Sequence, residues 1–152
     1  MSLAVFLICV MLVASSGALF KPDDWYRALA KPGWTPPDWV FGAGWTLLYV
    51  MIAVAGWRVW ERAETDALLL PMAVYAVQLV LNAGWSAIFF GLKRMDWAMA
   101  EVLCLWAAIS VNILAFYPID PVAAWLLVPY LAWVTFAAAL NLAVWRLNRS
   151  SL

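Results

Sequence analysis

The sequence predicts an all-α membrane protein, a five-helix transmembrane bundle with a structured, proline-rich first loop. Three observations lead there. Of the 152 residues, 68% are of hydrophobic type and only 12% are charged, about half the charge of an ordinary soluble domain. Reading between charged residues leaves five apolar runs, each near the roughly 20 residues that a helix needs to cross a bilayer core. One long connection alone interrupts them, and it carries four prolines.

The runs are Leu3 to Phe20, Trp39 to Trp57, Ala67 to Leu92, Trp97 to Ile119 and Pro121 to Trp145. Near the end of the first, Ser16, Gly17 and Ala18 resemble a signal-peptide cleavage site, but no basic residue precedes the apolar stretch, so it is read as a span. The fourth holds the single intramembrane charge, Glu101, about one turn beyond Asp96 and expected to reach the interface. In the fifth, Pro129 is placed to bend the helix. The connections after spans two, three and four are short, so consecutive helices are expected to pack antiparallel, with residues 1–152 forming one domain.

Nine basic residues balance nine acidic ones, so no basic patch is available for a phosphate backbone, and nucleic acid is excluded as a partner. The chain has no histidine, which removes histidine-dependent triads and a histidine-ligated haem. Cys9 and Cys104 lie inside apolar runs without paired spacing, so neither a disulfide framework nor a metal site is expected. With five spans, Lys21, Arg27, Lys31, Lys93, Arg94, Arg146 and Arg149 fall on one side and Arg58 and Arg62 on the other. The positive-inside rule then puts the amino terminus outside and the carboxyl terminus in the cytoplasm.

The long connection, Lys21 to Asp38, reads KPDDWYRALAKPGWTPPD. Prolines 22, 32, 36 and 37 restrict its backbone. Asp23 or Asp24 can cap a short helix over Trp25 to Ala30 that Pro32 stops, and Thr35 with Pro36 suits the start of span two. A stiff, aromatic segment of this kind reads as a cap across one end of the bundle, although an interfacial loop resting its rings on headgroups has the same composition.

Of twelve tryptophans, Trp25, Trp39, Trp57, Trp60, Trp97, Trp125 and Trp145 lie near span ends, where an aromatic belt accounts for them. Trp34, Trp45, Trp85, Trp106 and Trp133 are left over. Gln78, Asn82, Trp85 and Phe89 share one face of span three. Tyr130, Trp133, Ala137 and Asn141 share one of span five, and Phe41, Trp45 and Tyr49 one of span two. Trp45, Trp85 and Ala137 each lie about 10 Å from the same end of the bundle. Amides in a membrane need partners, so Gln78, Asn82 and Asn141 either join helix to helix or face a ligand. Aromatic walls and amides at one depth predict a pocket under the loop, suited to a flat, mostly apolar molecule.

The segments WYRALAKPGWTPPDWVFGAGWTLLY, QLVLNAGWSAIFFGLKR and PYLAWVTFAAALN resemble, in order and across essentially the whole chain, the TspO/MBR family of tryptophan-rich sensory proteins, whose eukaryotic members are translocator proteins or peripheral benzodiazepine receptors. The resemblance implies a commonly dimeric membrane protein that binds porphyrins, such as protoporphyrin IX or haem, and benzodiazepine- or isoquinoline-type ligands. It implies a role in tetrapyrrole handling or stress sensing, with no obligatory cofactor. By motif position the ligand-binding residues are Tyr26, Trp34, Trp45, Tyr49, Asn82, Trp85, Trp133, Ala137 and Asn141. An alternative is light- and oxygen-dependent porphyrin degradation, with Trp45 and Trp133 as the catalytic pair; a second is small-molecule transport, against which stands the lack of inverted repeats. The eukaryotic cholesterol motif has a tyrosine where this chain has Leu142, so cholesterol binding is not expected, and a bacterial membrane is the expected location.

Overall fold

The computed structural model describes residues 1–151. It is 83% helical, without strands among the described residues. The elements are α1 (Leu3–Leu19), α2 (Asp24–Ala28), α3 (Asp38–Arg62), α4 (Leu69–Ser86), α5 (Met95–Phe116) and α6 (Pro121–Asn148). A π-helical turn, Ala87–Gly91, continues α4, and 3-10 turns cover Thr65–Ala67 and Arg149–Ser151. Four helices, α3, α4 with its π turn, α5 and α6, are long and apolar enough to cross a membrane. At 17 residues, α1 is a shorter apolar helix of about 25 Å.

The helix bounds extend the sequence reading at several ends. The third helix runs on past Trp57 to Arg62 and the last past Trp145 to Asn148, while α5 starts earlier, at Met95. Membrane-facing composition marks where apolar residues stop, but backbone hydrogen bonding continues into the polar zone. The start of α3 is set at Asp38, with Pro37 rather than Thr35 at its cap. Pro37 has no N–H to leave unbonded there.

Around the bundle the contact order is α1, α4, α5, α6, α3 and back to α1. Consecutive packing thus fails at one place, because α3 and α4 meet only marginally and α1 lies between them. The connection Ala63–Leu68 can span about 20 Å, twice the 8–10 Å between packed helices, so its length permits the detour. The wedge is aromatic. Phe6 of α1 sits edge-on to Tyr75 of α4 and tilted against Trp60 of α3, at ring separations of 6.0 and 6.4 Å. Tyr75 donates its hydroxyl to the Ile52 carbonyl of α3 at 2.9 Å. Gly56 makes room for that ring.

The basic residues separate between the two ends of the bundle. At one end Lys93 lies 3.6 Å from Asp23, and Asn148 clamps Ala30. At the other, Arg58 grips Asp120 through two hydrogen bonds of 2.8 and 3.3 Å, and Arg62 approaches to 3.4 Å. Asp120 also accepts from the Val122 N–H at 3.0 Å, which caps α6. Burial pushes its carboxyl up, but Arg58 and the cap hydrogen bond outweigh that and hold it below the usual carboxylate value.

Asp120→Asn keeps the cap and removes the charge. The expected loss lies between the roughly 0.2–1 kcal/mol of an exposed pair and the 3–5 kcal/mol of a sealed one. Because the folded-state pKa is depressed, this stabilisation is present above the unfolded value of about 3.9 and is lost as pH falls through the folded one. Melting curves of the parent should therefore drop more steeply on acidification below about pH 4 than those of the variant. Parallel curves would remove the pair from the account.

Candidate functional site

Helices α1, α3, α4, α5 and α6 enclose a cavity of about 450 Å³ beneath the segment that joins α1 to α3. Hydrogen bonds within that segment and one residue of α6 hold two places along it. Asp23 accepts from the Tyr26 N–H at 3.1 Å and caps α2, and the same bond holds its carboxyl below the ordinary value. Farther on, the Asn148 amide of α6 pairs with both backbone groups of Ala30, accepting at 3.0 Å and donating at 2.9 Å. Tyr26, thus positioned, lines the cavity and meets Phe90 edge-on at 5.3 Å. Burial first, and the nearby Asp38 charge second, push its phenol up, so it stays a neutral hydrogen-bond donor at neutral pH.

Eight of the nine expected residues line this one cavity: Tyr26, Trp45, Tyr49, Asn82, Trp85, Trp133, Ala137 and Asn141. Trp34 does not. Its ring is half exposed and packs edge-on to Phe136 at 5.8 Å, and Phe136 lies 5.8 Å from Trp133. Trp34 is therefore separated from the lining by the Phe136 ring of α6.

The walls are rings in contact. Trp45 stacks on Tyr49 at 5.4 Å and stands edge-on to Trp133 at 6.2 Å. Opposite, Trp85 stacks on Phe89 at 5.1 Å, and Phe89 meets Phe90 at 4.8 Å. Gly44 explains how Trp133 fits: a Cβ there would come within 2.7 Å of its indole.

The amides join helix to helix, one of the two roles the sequence allowed. Asn82 accepts from the Tyr49 hydroxyl at 3.1 Å and donates to Tyr130 at 2.7 Å, which in turn donates to Gln78 at 2.9 Å. Asn141 accepts from the Trp85 indole at 3.2 Å and donates to the Met95 carbonyl at 3.0 Å. They border the cavity, yet their first duty is to join α3, α4, α5 and α6. Gln78 is fully buried beneath it, with its Nε2 unpartnered.

Glu101 departs from expectation. Both carboxylate oxygens are buried and unpartnered, against Gly84 of α4, where a Cβ would lie 3.4 Å from Oε1. With Gly84 opposite, the side chain fills the α4–α5 seam and does not extend to the helix end. Trp106, unassigned by the sequence, lies on the outer face and donates to Thr135 at 2.8 Å, tying α5 to α6.

Several lining residues escaped sequence reasoning. Ala14 and Gly17 of α1, with Phe20 just beyond its end, contribute one wall, and Lys21, Arg27 and Asp38 its rim. Phe90 enters because the π turn adds a residue and brings adjacent phenylalanines toward one side. The proximity of Phe20 to the amino-terminal end of the loop was the one usable signal.

These features define a class, a multi-pass α-helical membrane protein with an aromatic-walled cavity among its helices. The chain belongs to the TspO/MBR family, whose model matches residues 4–146. It is 44% identical over 135 residues to a tryptophan-rich sensory protein of Cereibacter sphaeroides, covering 89% of this chain and 84% of that one. It is 38% identical over 146 residues to Protein CrtK of Rhodobacter capsulatus, at 95% and 91% coverage. To the translocator protein of Homo sapiens it is 41% identical over 126 residues, at 82% and 75% coverage.

Proposed function

We propose that the cavity binds a porphyrin or another flat, mostly apolar molecule, benzodiazepine- and isoquinoline-type compounds included, and that the protein acts in tetrapyrrole handling or stress sensing. One observation carries this reading: about 450 Å³ of space walled by stacked and edge-on aromatic rings, with its charged side chains confined to the rim. Quenching of tryptophan emission in a protoporphyrin IX titration tests it. Saturable quenching is expected; a linear, non-saturating response would reject it.

The contact between Trp45 and Trp133 favours one second reading, photo-oxidative porphyrin breakdown with these two rings as redox-active groups. Illumination in air separates the two. Bleaching that disappears in both Trp45→Phe and Trp133→Phe supports the enzyme, and quenching without bleaching supports the binder.

In the membrane, α1 is proposed as a fifth crossing beside the four longer helices, in a bacterial membrane with the carboxyl terminus cytoplasmic. The seven-to-two division of basic residues supports that orientation. A cysteine placed at exposed Ser150 should resist an impermeant thiol reagent in intact cells and react after lysis. Reaction in intact cells would invert the topology. A homodimer through α4 is proposed as well, since Ala73 and Ala76 are exposed there and small residues let helices approach. Cross-linking in nanodiscs should yield a dimer, and monomer alone would refute it.

A further inference from the structure

We propose that Lys21 and Arg27 form an anion-recognising rim that selects ligands bearing carboxylates along one edge of an apolar body; the proposal rests on the binding reading above. The cavity is lined by three charged side chains, Lys21, Arg27 and Asp38, all at the loop end. Deeper, its polar groups are neutral, and the amides of Asn82 and Asn141 are engaged with other helices. A bound molecule therefore meets apolar rings along most of its surface and full charge at one edge only.

The two cations are available. Lys21 is exposed and makes no ion pair among the described residues. Two other basic residues of the same end of the bundle are already paired, Lys93 with Asp23 and Arg94 with Asp96. Arg27 reaches Asp24 through one nitrogen at 3.2 Å, with both side chains largely in water. Such a pair is weak, and the remaining guanidinium donors suit the parallel oxygens of a carboxylate. Asp38 opposes them, but it lies in the first turn of α3, where unpaired N–H groups favour negative charge. The rim thus carries two cations against one compensated anion. A ligand whose acidic groups sit on a single edge matches it, whereas a neutral ligand of the same shape gains nothing there.

Protoporphyrin IX and its dimethyl ester share the macrocycle and differ in the carboxylates, so they isolate the rim. Titrations of both are compared for the parent, Lys21→Gln, Arg27→Gln and Asp38→Asn, with melting curves to establish that each variant is folded. Each glutamine variant should weaken the diacid about two- to five-fold, the range of an exposed ion pair, and leave the ester unchanged. Asp38→Asn should tighten the diacid by a similar factor, and salt should narrow all these differences. Equal effects on both ligands, or none on either, would overturn the rim while leaving the cavity reading in place. A parent that binds neither ligand would overturn both.

Discussion

Ala137→Thr should weaken protoporphyrin IX binding about five- to a hundred-fold and leave the bundle folded. Ala137 lines the cavity one helical turn from Trp133 and one from Asn141. Threonine adds two heavy atoms and a hydroxyl, and overpacking of that size costs about 1–3 kcal/mol. With the cavity empty the added atoms occupy open space; with a ligand present they collide with it. The cost therefore falls on the complex and appears as affinity. Quenching titrations beside melting curves check this. An unchanged dissociation constant with a lowered melting temperature would mean that position 137 faces a neighbouring helix, and would remove it from the site.

The second large effect concerns folding. Gly56→Ala should destabilise the protein even though alanine favours helix over glycine by about 1 kcal/mol. A Cβ at 56 would stand 2.5 Å from Tyr75 Cζ, 2.7 Å from its hydroxyl oxygen and 2.9 Å from Phe6 Cδ1. The Tyr75 ring cannot retreat freely, being buried, stacked on Phe116 at 5.9 Å and bonded to Ile52. Pushing it away strains α1, α3 and α4 together, and the net loss should be about 1–3 kcal/mol. Gly42→Ala is the control, since nothing lies within 4 Å of a Cβ there. It should melt at or above the parent temperature. Should Gly56→Ala do the same, the wedge of α1 between α3 and α4 would have no structural weight.

Trp45, Tyr49, Asn82, Trp85, Trp133, Ala137 and Asn141 were legible because helical spacing fixes a face and distance from the charged ends fixes a depth. Both are local quantities. Which helix stands beside which is not: short connections imply that α3 and α4 pack together, yet α1 packs against both and they meet directly only at a few places, among them Tyr75 with Ile52 and Tyr49 with Asn82. No polar face marks α1 as a wall of the cavity, since Ala14 and Gly17 read like any small apolar residues. Trp34 shows the same limit in a loop, where no period constrains direction. Glu101 was misjudged by distance along the helix alone, because the space left by Gly84 on another helix decides where its carboxyl rests.

The paired hydrogen bonds between Asn148 and Ala30 bear on time as well as on structure. They fasten the far part of the loop to the end of α6, while Asp23 and Lys93 fasten its near part to the turn after α4. Under the proposed binding, a ligand leaving through the loop end would have to wait for these fastenings to release. Because the loop is tied at two places and little of it is buried, opening should be a local event, far less costly than unfolding the bundle. Residence time and affinity can then vary independently: loosening the Asn148 clamp accelerates entry and exit alike, so a cell could retain the same occupancy at equilibrium while changing how quickly the protein follows a fluctuating ligand supply.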